Sequence, residues 1–238
     1  MKRTVITLII ALFIAIPGFA HYMWLETSTT GSLEVKHEVK VYFGEYTYGI
    51  LEKTSGDAYK KVANFKLWVI APDGTKMRLK PMAGTDHYTA YFTPEQEGVY
   101  TVVLNNNEIE VIDYTQYDFG IFKTHYHATS KVSVEQGSTG TATLNPEGLV
   151  VKQLANEDNR IKLQVLFKGQ PLKEHEFKVF VADHWSKTLY TDENGEVVFS
   201  LPWTTKYIVE ATKKEEVPGT YKGKDYEFIW HCATLCLP

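Results

Sequence analysis

The sequence predicts an all-β protein, and three observations carry that prediction. Aromatic residues make up 13% of the chain, with fifteen tyrosines, a composition that favours strands. Apolar and polar residues alternate with a period of two in many short segments separated by Gly, Pro, Asn and Asp, the pattern of half-buried strands joined by turns. No stretch of twelve residues sustains the 3.6-residue period of an amphipathic helix; a single short turn of helix is expected near Ser55–Lys61.

Taken in order, the chain opens on Met1-Lys2-Arg3-Thr4. A run from Val5 to Ile16 follows, apolar but for Thr7, and Pro17-Gly18-Phe19-Ala20 ends it with small residues three and one before a cut after Ala20. This is the order of a secretory signal peptide, and the run is shorter than the ~20 residues a membrane helix needs. The mature chain is expected to keep 218 residues beginning His21-Tyr22-Met23-Trp24-Leu25-Glu26. It should be periplasmic or secreted and have no transmembrane segment.

Strands follow. Val35–Phe43 alternates strictly, and Phe65–Ile70 turns at Pro72-Asp73-Gly74 into Lys76–Leu79. Tyr88–Phe92 and Val99–Leu104 flank Pro94–Gly98, and Glu108–Ile112 resumes the sheet after three asparagines. In the second half the expected strands are Ile161–Phe167, Phe177–Ala182, Lys187–Tyr190, Val197–Leu201, Lys206–Ala211 and Phe228–Leu237. Two segments echo each other. An aromatic strand ends at Pro94 and a Tyr-x-Val strand returns at Tyr100; the same happens at Pro202 and Tyr207, 107 residues later. That spacing is about one immunoglobulin-like sandwich. Two such β-sandwich domains are expected, 21–128 and 129–238, with the join within 125–150.

Composition narrows the function. At 44% hydrophobic and 23% charged the chain is globular. Loss of Lys2 and Arg3 takes the net charge from −4 to −6, which disfavours nucleic acid as a partner and suits cations. Signatures of hydrolases, metalloproteases and phosphate-binding loops are missing, so no enzymatic activity is expected. The two cysteines, Cys232 and Cys236, are four apart on one strand, ~13 Å if it is continuous and too far for a disulfide. They read as small buried hydrophobes unless a turn brings them together.

An export signal ending in Ala followed by His21-x-x-Trp24-Leu25-Glu26 resembles the start of the DUF4198 family, exported proteins related to accessory components of nickel and cobalt uptake systems. Gly169-Gln170-Pro171-Leu172 and Thr191-Asp192-Glu193-Asn194-Gly195-Glu196 resemble that family's second domain, itself like the carboxypeptidase regulatory or transthyretin-like sandwich. Ala233-Thr234-Leu235 resembles its last strand. The resemblance implies a periplasmic metal-handling role.

His21, His125 and His127 are the candidate metal ligands. A mature amino terminus at His21 offers an amine and an imidazole from one residue, nitrogen donors that suit nickel, copper, cobalt and zinc. His125 and His127 lie at i and i+2, so on a strand both rings share a face; the plainer alternative is a solvated strand face. All three are expected to meet at the seam between the sandwiches, with affinity falling through the usual histidine range near ~6.5. His37 reads as a satisfied core histidine, and His87, His175 and His184 as surface residues. The expected function is a non-catalytic transition-metal-binding protein that passes nickel or cobalt, or else copper or zinc, to a membrane transporter. The alternative is a structural or interaction module presenting loops to a protein or glycan.

Overall fold

A computed structural model of the protein describes residues 21–135, 145, 146, 148–157 and 160–237. The expected signal, 1–20, and much of the expected join, 136–144, lie outside the described residues. The fold is all-β. Its principal strands are β1 (Tyr22–Thr27), β2 (His37–Glu45), β3 (Lys66–Ile70), β4 (Lys76–Arg78), β5 (His87–Phe92), β6 (Gly98–Asn106) and β7 (Ile121–Val134) in the first half. The second half supplies β8 (Leu149–Glu157), β9 (Arg160–Phe167), β10 (Glu176–Val181), β11 (Trp185–Tyr190), β12 (Glu196–Ser200), β13 (Tyr207–Glu215) and β14 (Phe228–Leu237). The one α-helix among the described residues is a single turn, Asp57–Lys60.

Three sheets organise these strands. β1, β2 and β5 lie side by side in one, and β8, β9 and β12 in another. Between them runs a ten-stranded sheet whose main order is β11-β10-β13-β14-β7-β6-β3-β4. Its second-half strands meet its first-half strands where β14 pairs with β7 in parallel, Phe122 opposite Phe228 through Ala128 opposite Thr234. β7 then pairs with β6 on its other edge from Thr129 to Val134. The expected boundary at 128/129 therefore falls inside a fourteen-residue strand. The chain divides at the level of its cores, not its sheets.

Period-two alternation decides which core each residue enters. Tyr126, Ala128, Val132 and Val134 of β7 face the first core with Met23, Leu25, Val39 and Val41. Ala233, Leu235 and Leu237 of β14 face the second with Leu149, Val151 and Leu163. A smaller cluster of Tyr22, Trp24, Ile208 and Cys232 joins β1 to the reverse face of β13 and β14. The shared sheet thus has one partner sheet on each side.

The sequence echo has a structural counterpart. The Tyr100 hydroxyl accepts from the Gln96 N–H at 3.0 Å and donates to the Gln96 carbonyl at 3.1 Å. The Tyr207 hydroxyl accepts from the Trp203 N–H at 2.9 Å and donates to its carbonyl at 3.0 Å. Each half therefore carries a tyrosine corner, a hallmark of immunoglobulin-like sandwiches. One expected strand is shorter than the sequence suggested: Glu108–Ile112 yields only a two-residue strand, Ile112–Asp113. Asn106 explains it. Its side chain donates to the Val62 carbonyl at 2.7 Å and accepts from the Glu108 N–H at 3.3 Å, an Asx turn that takes the chain out of the sheet.

Candidate metal centre

His125 and His127 project from one face of β7, as their spacing requires. Beside them stands a third histidine. The parallel register places His231 of β14 directly opposite His125, and adjacent strands lie ~4.8 Å apart. One ring nitrogen from each of His125, His127 and His231 falls within 4.8 Å of the other two. The His127 and His231 rings stack at 5.3 Å and 13°, and the His125 ring stands at 85° to His231 with centroids 5.1 Å apart. The cluster lies at one end of the second core. Phe167 packs edge-on against His231 at 5.0 Å, and Gly148 packs so close to the His127 ring that no side chain would fit.

Hydrogen bonds outside the cluster fix which nitrogens face inward. His127 Nδ1 donates to Asn105 Oδ1 at 2.6 Å, and Asn145 Nδ2 donates to the same oxygen at 2.6 Å. His231 Nε2 donates to Glu215 Oε2 at 2.9 Å. Each outer nitrogen carries its ring's proton, because each faces an acceptor. The inner nitrogens, His127 Nε2 and His231 Nδ1, are then bare and 3.0 Å apart. His125 Nε2 is buried with no hydrogen-bond partner. Two lone pairs therefore face each other at 3.0 Å beside a ring nitrogen of His125, an arrangement that a cation relieves.

The rings are held neutral. Burial lowers the His125 pKa to about 3, with the neighbouring His231 adding to the effect. Burial, then the other two imidazoles, push His127 well below its usual value. Burial also lowers His231, against the pull of Glu215. Proton competition for the nitrogens thus sets in below the usual histidine range near ~6.5. Burial alone would raise Glu215, but hydrogen bonds from Lys168 and His231 outweigh it and keep its carboxylate ionised.

The donor set fits a transition metal. Two nitrogens each ~2.05 Å from one ion lie ~2.9 Å apart at a right angle and ~3.3 Å apart at the tetrahedral angle; the observed 3.0 Å falls between. Glu215 behind His231 and Asn105 behind His127 supply the outer hydrogen bonds that orient ligating imidazoles. Three histidines leave a fourth position for water or a ligand.

His21 does not join this group. Tyr126, between His125 and His127, points to the opposite face, and its hydroxyl donates to the His21 carbonyl at 2.9 Å. The sheet itself therefore stands between His21 and the other two residues of the expected set. The His21 ring lies against Phe43 and bonds Glu52 Oε1 through Nε2 at 2.9 Å. His37 is a satisfied core histidine, bonded to Thr27 Oγ1 at 2.8 Å. The cysteines are free; Cys232 is buried on the Tyr126 face and donates to Glu210 at 3.1 Å. His231 was the residue the sequence did not group with the others. Its only local signal was a place on the odd-numbered face of the last expected strand, the face that carries Ala233, Leu235 and Leu237.

Residues 18–215 match the family model described as "Domain of unknown function (DUF4198)". That span holds His125, His127 and Glu215 and stops short of His231. No curated protein matches the chain. Among solved structures, the crystal structure of a Salmonella alpha-2-macroglobulin mutant is similar at 13% identity and a TM-score of 0.30, over 92% of this chain and 15% of that one. No helix among the described residues is long and apolar enough to cross a membrane.

Proposed function

The chain belongs to the DUF4198 family, and on that premise we propose that it is an exported, non-catalytic protein that binds a divalent transition metal through His125, His127 and His231. The single observation that supports this most is the convergence of ring nitrogens from three imidazoles within 4.8 Å of one another, two of them 3.0 Å apart. Imidazole donors suit nickel, cobalt, copper and zinc, and disfavour calcium and magnesium, which take oxygen. His125 is the most accessible of the three, so exchange is expected past its ring, as a carrier that yields its cargo to a membrane transporter requires. Nickel or cobalt is the proposed cargo, on the family resemblance. The test is calorimetric titration of the metal-free protein with nickel, cobalt, copper and zinc. Tight binding of one equivalent that His127→Ala and His231→Ala each remove supports the reading; an unchanged number of equivalents bound by these folded variants refutes it.

A second reading, an interaction module, draws on a different surface. Tyr114, Tyr117 and Phe119 are exposed and pack edge-to-face with one another's neighbours, Phe119 against Trp230 at 5.2 Å. Failure of every metal to bind would favour it.

A further inference from the structure

The other face of the shared sheet carries a second constellation around His21. Antiparallel register puts Tyr22 opposite Gly44, so His21 and Glu45 are the next pair along. Glu45 is 7% exposed, and its Oε2 is buried with no hydrogen-bond partner. Burial raises the Glu45 pKa, and only the nearby His21 ring opposes that. Glu52 comes in from the neighbouring segment, where its N–H donates to the Phe43 carbonyl at 2.9 Å.

The His21 ring has its orientation set. With Nε2 donating to Glu52 Oε1 at 2.9 Å, the ring's lone pair is on Nδ1. Nδ1 is also the nitrogen that forms a six-membered chelate ring with the amine of the same residue. In the uncut chain that amine is an amide with no usable lone pair. A cut between Ala20 and His21 turns it into a primary amine with a pKa near ~8, which a metal ion deprotonates at modest cost. The His21 carbonyl is held by Tyr126 at 2.9 Å, so the residue is already anchored on the sheet.

We infer that cleavage before His21 creates a second transition-metal site, in which the new amine, His21 Nδ1 and the buried Glu45 carboxylate are the ligands and Glu52 is the positioning residue. It takes the same class of divalent ion as the three-histidine site but is separate from it, with a mixed nitrogen and oxygen donor set. The ion supplies the counter-charge that buried Glu45 lacks. No part of this second site depends on His125, His127 or His231.

The test uses exported protein whose amino terminus is confirmed as His21 by mass spectrometry, titrated with copper(II) and nickel(II). Three variants accompany it: one alanine placed before His21, Glu45→Gln, and His125→Ala/His127→Ala/His231→Ala. The expected result is an equivalent of metal that survives the triple substitution, is lost on adding the alanine, and weakens at least tenfold in Glu45→Gln. If the triple variant does not fold, His231→Ala alone replaces it. A chain that binds one equivalent, lost on adding the alanine but kept in the histidine variants, supports this site while removing the three-histidine one. Metal stoichiometry and affinity unchanged by the added alanine would overturn the proposal, as would an alanine effect confined to melting temperature, which marks a docked ammonium and no metal.

Discussion

Replacing Gly148 by alanine should disable the three-histidine site without altering any of its nitrogens. A Cβ at position 148 would run into His127 Cε1 and lie 2.6 Å from Nε2 and 2.8 Å from Nδ1. Non-bonded carbon contacts are comfortable at ~3.5 Å or more, so the ring must retreat by ~1 Å. That retreat breaks either the 2.6 Å bond to Asn105 or the 3.0 Å approach to His231. Metal–ligand distances tolerate only ~0.2 Å. Loss of an outer hydrogen bond alone costs 10–100-fold in metal affinity, so a displaced ligand should cost at least ~100-fold, ~2.7 kcal/mol. Overpacking should also lower the stability of the metal-free protein by ~1–3 kcal/mol. Calorimetry reads the first effect and urea unfolding the second. A double-mutant cycle separates them from unrelated damage: with His127→Ala in place there is no ring to strike, so adding Gly148→Ala should then cost almost nothing. Wild-type affinity in Gly148→Ala, or the same stability loss in both backgrounds, would refute the packing argument.

Three further outcomes are expected. Glu215→Gln should weaken metal binding by ~10–100-fold, because His231 loses the carboxylate that fixes its tautomer; unchanged affinity would mean His231 is oriented by packing alone. The metal-free protein should lose stability as pH falls from ~6.5 toward 3, since the unfolded chain protonates His125, His127 and His231 while the fold keeps them neutral, at up to ~1.4 kcal/mol per pH unit for each ring. Urea melts across that range should show a shallower slope for His125→Gln, and an identical slope would show that its ring charges freely in the folded state. Tyr100→Phe and Tyr207→Phe should each cost ~1–3 kcal/mol by leaving backbone groups unpaired at the two corners; losses below ~0.5 kcal/mol at either would remove that corner from the account of the fold.

Local pattern made most of the strands legible, because alternation is a property of neighbouring residues. His37–Glu45, Arg160–Phe167 and Phe228–Leu237 fall within two residues of the strands read from sequence. The shared face of His125 and His127 was legible for the same reason. Partnership between distant strands was not. Nothing near His231 announces that β14 lies parallel to β7, and without that register the third imidazole has no address. The placement of His21 failed for a related reason. A strand has two faces, and Tyr126 holds His21 on the face that His125 and His127 do not use.

The parallel pairing of β7 with β14 has a kinetic meaning. His127 and His231 are 104 residues apart in the chain, and contacts of such long range are made late, after the entropy of closing the intervening loop has been met. A chain still under synthesis, with β7 emerged and β14 not yet made, presents at most two imidazoles on this face. Two ligands without the Glu215–His231 pair are a weak, open chelate. On the proposed metal-binding function, high-affinity capture at this face would begin only when β14 has docked, so finished molecules and not nascent ones would take up the ion.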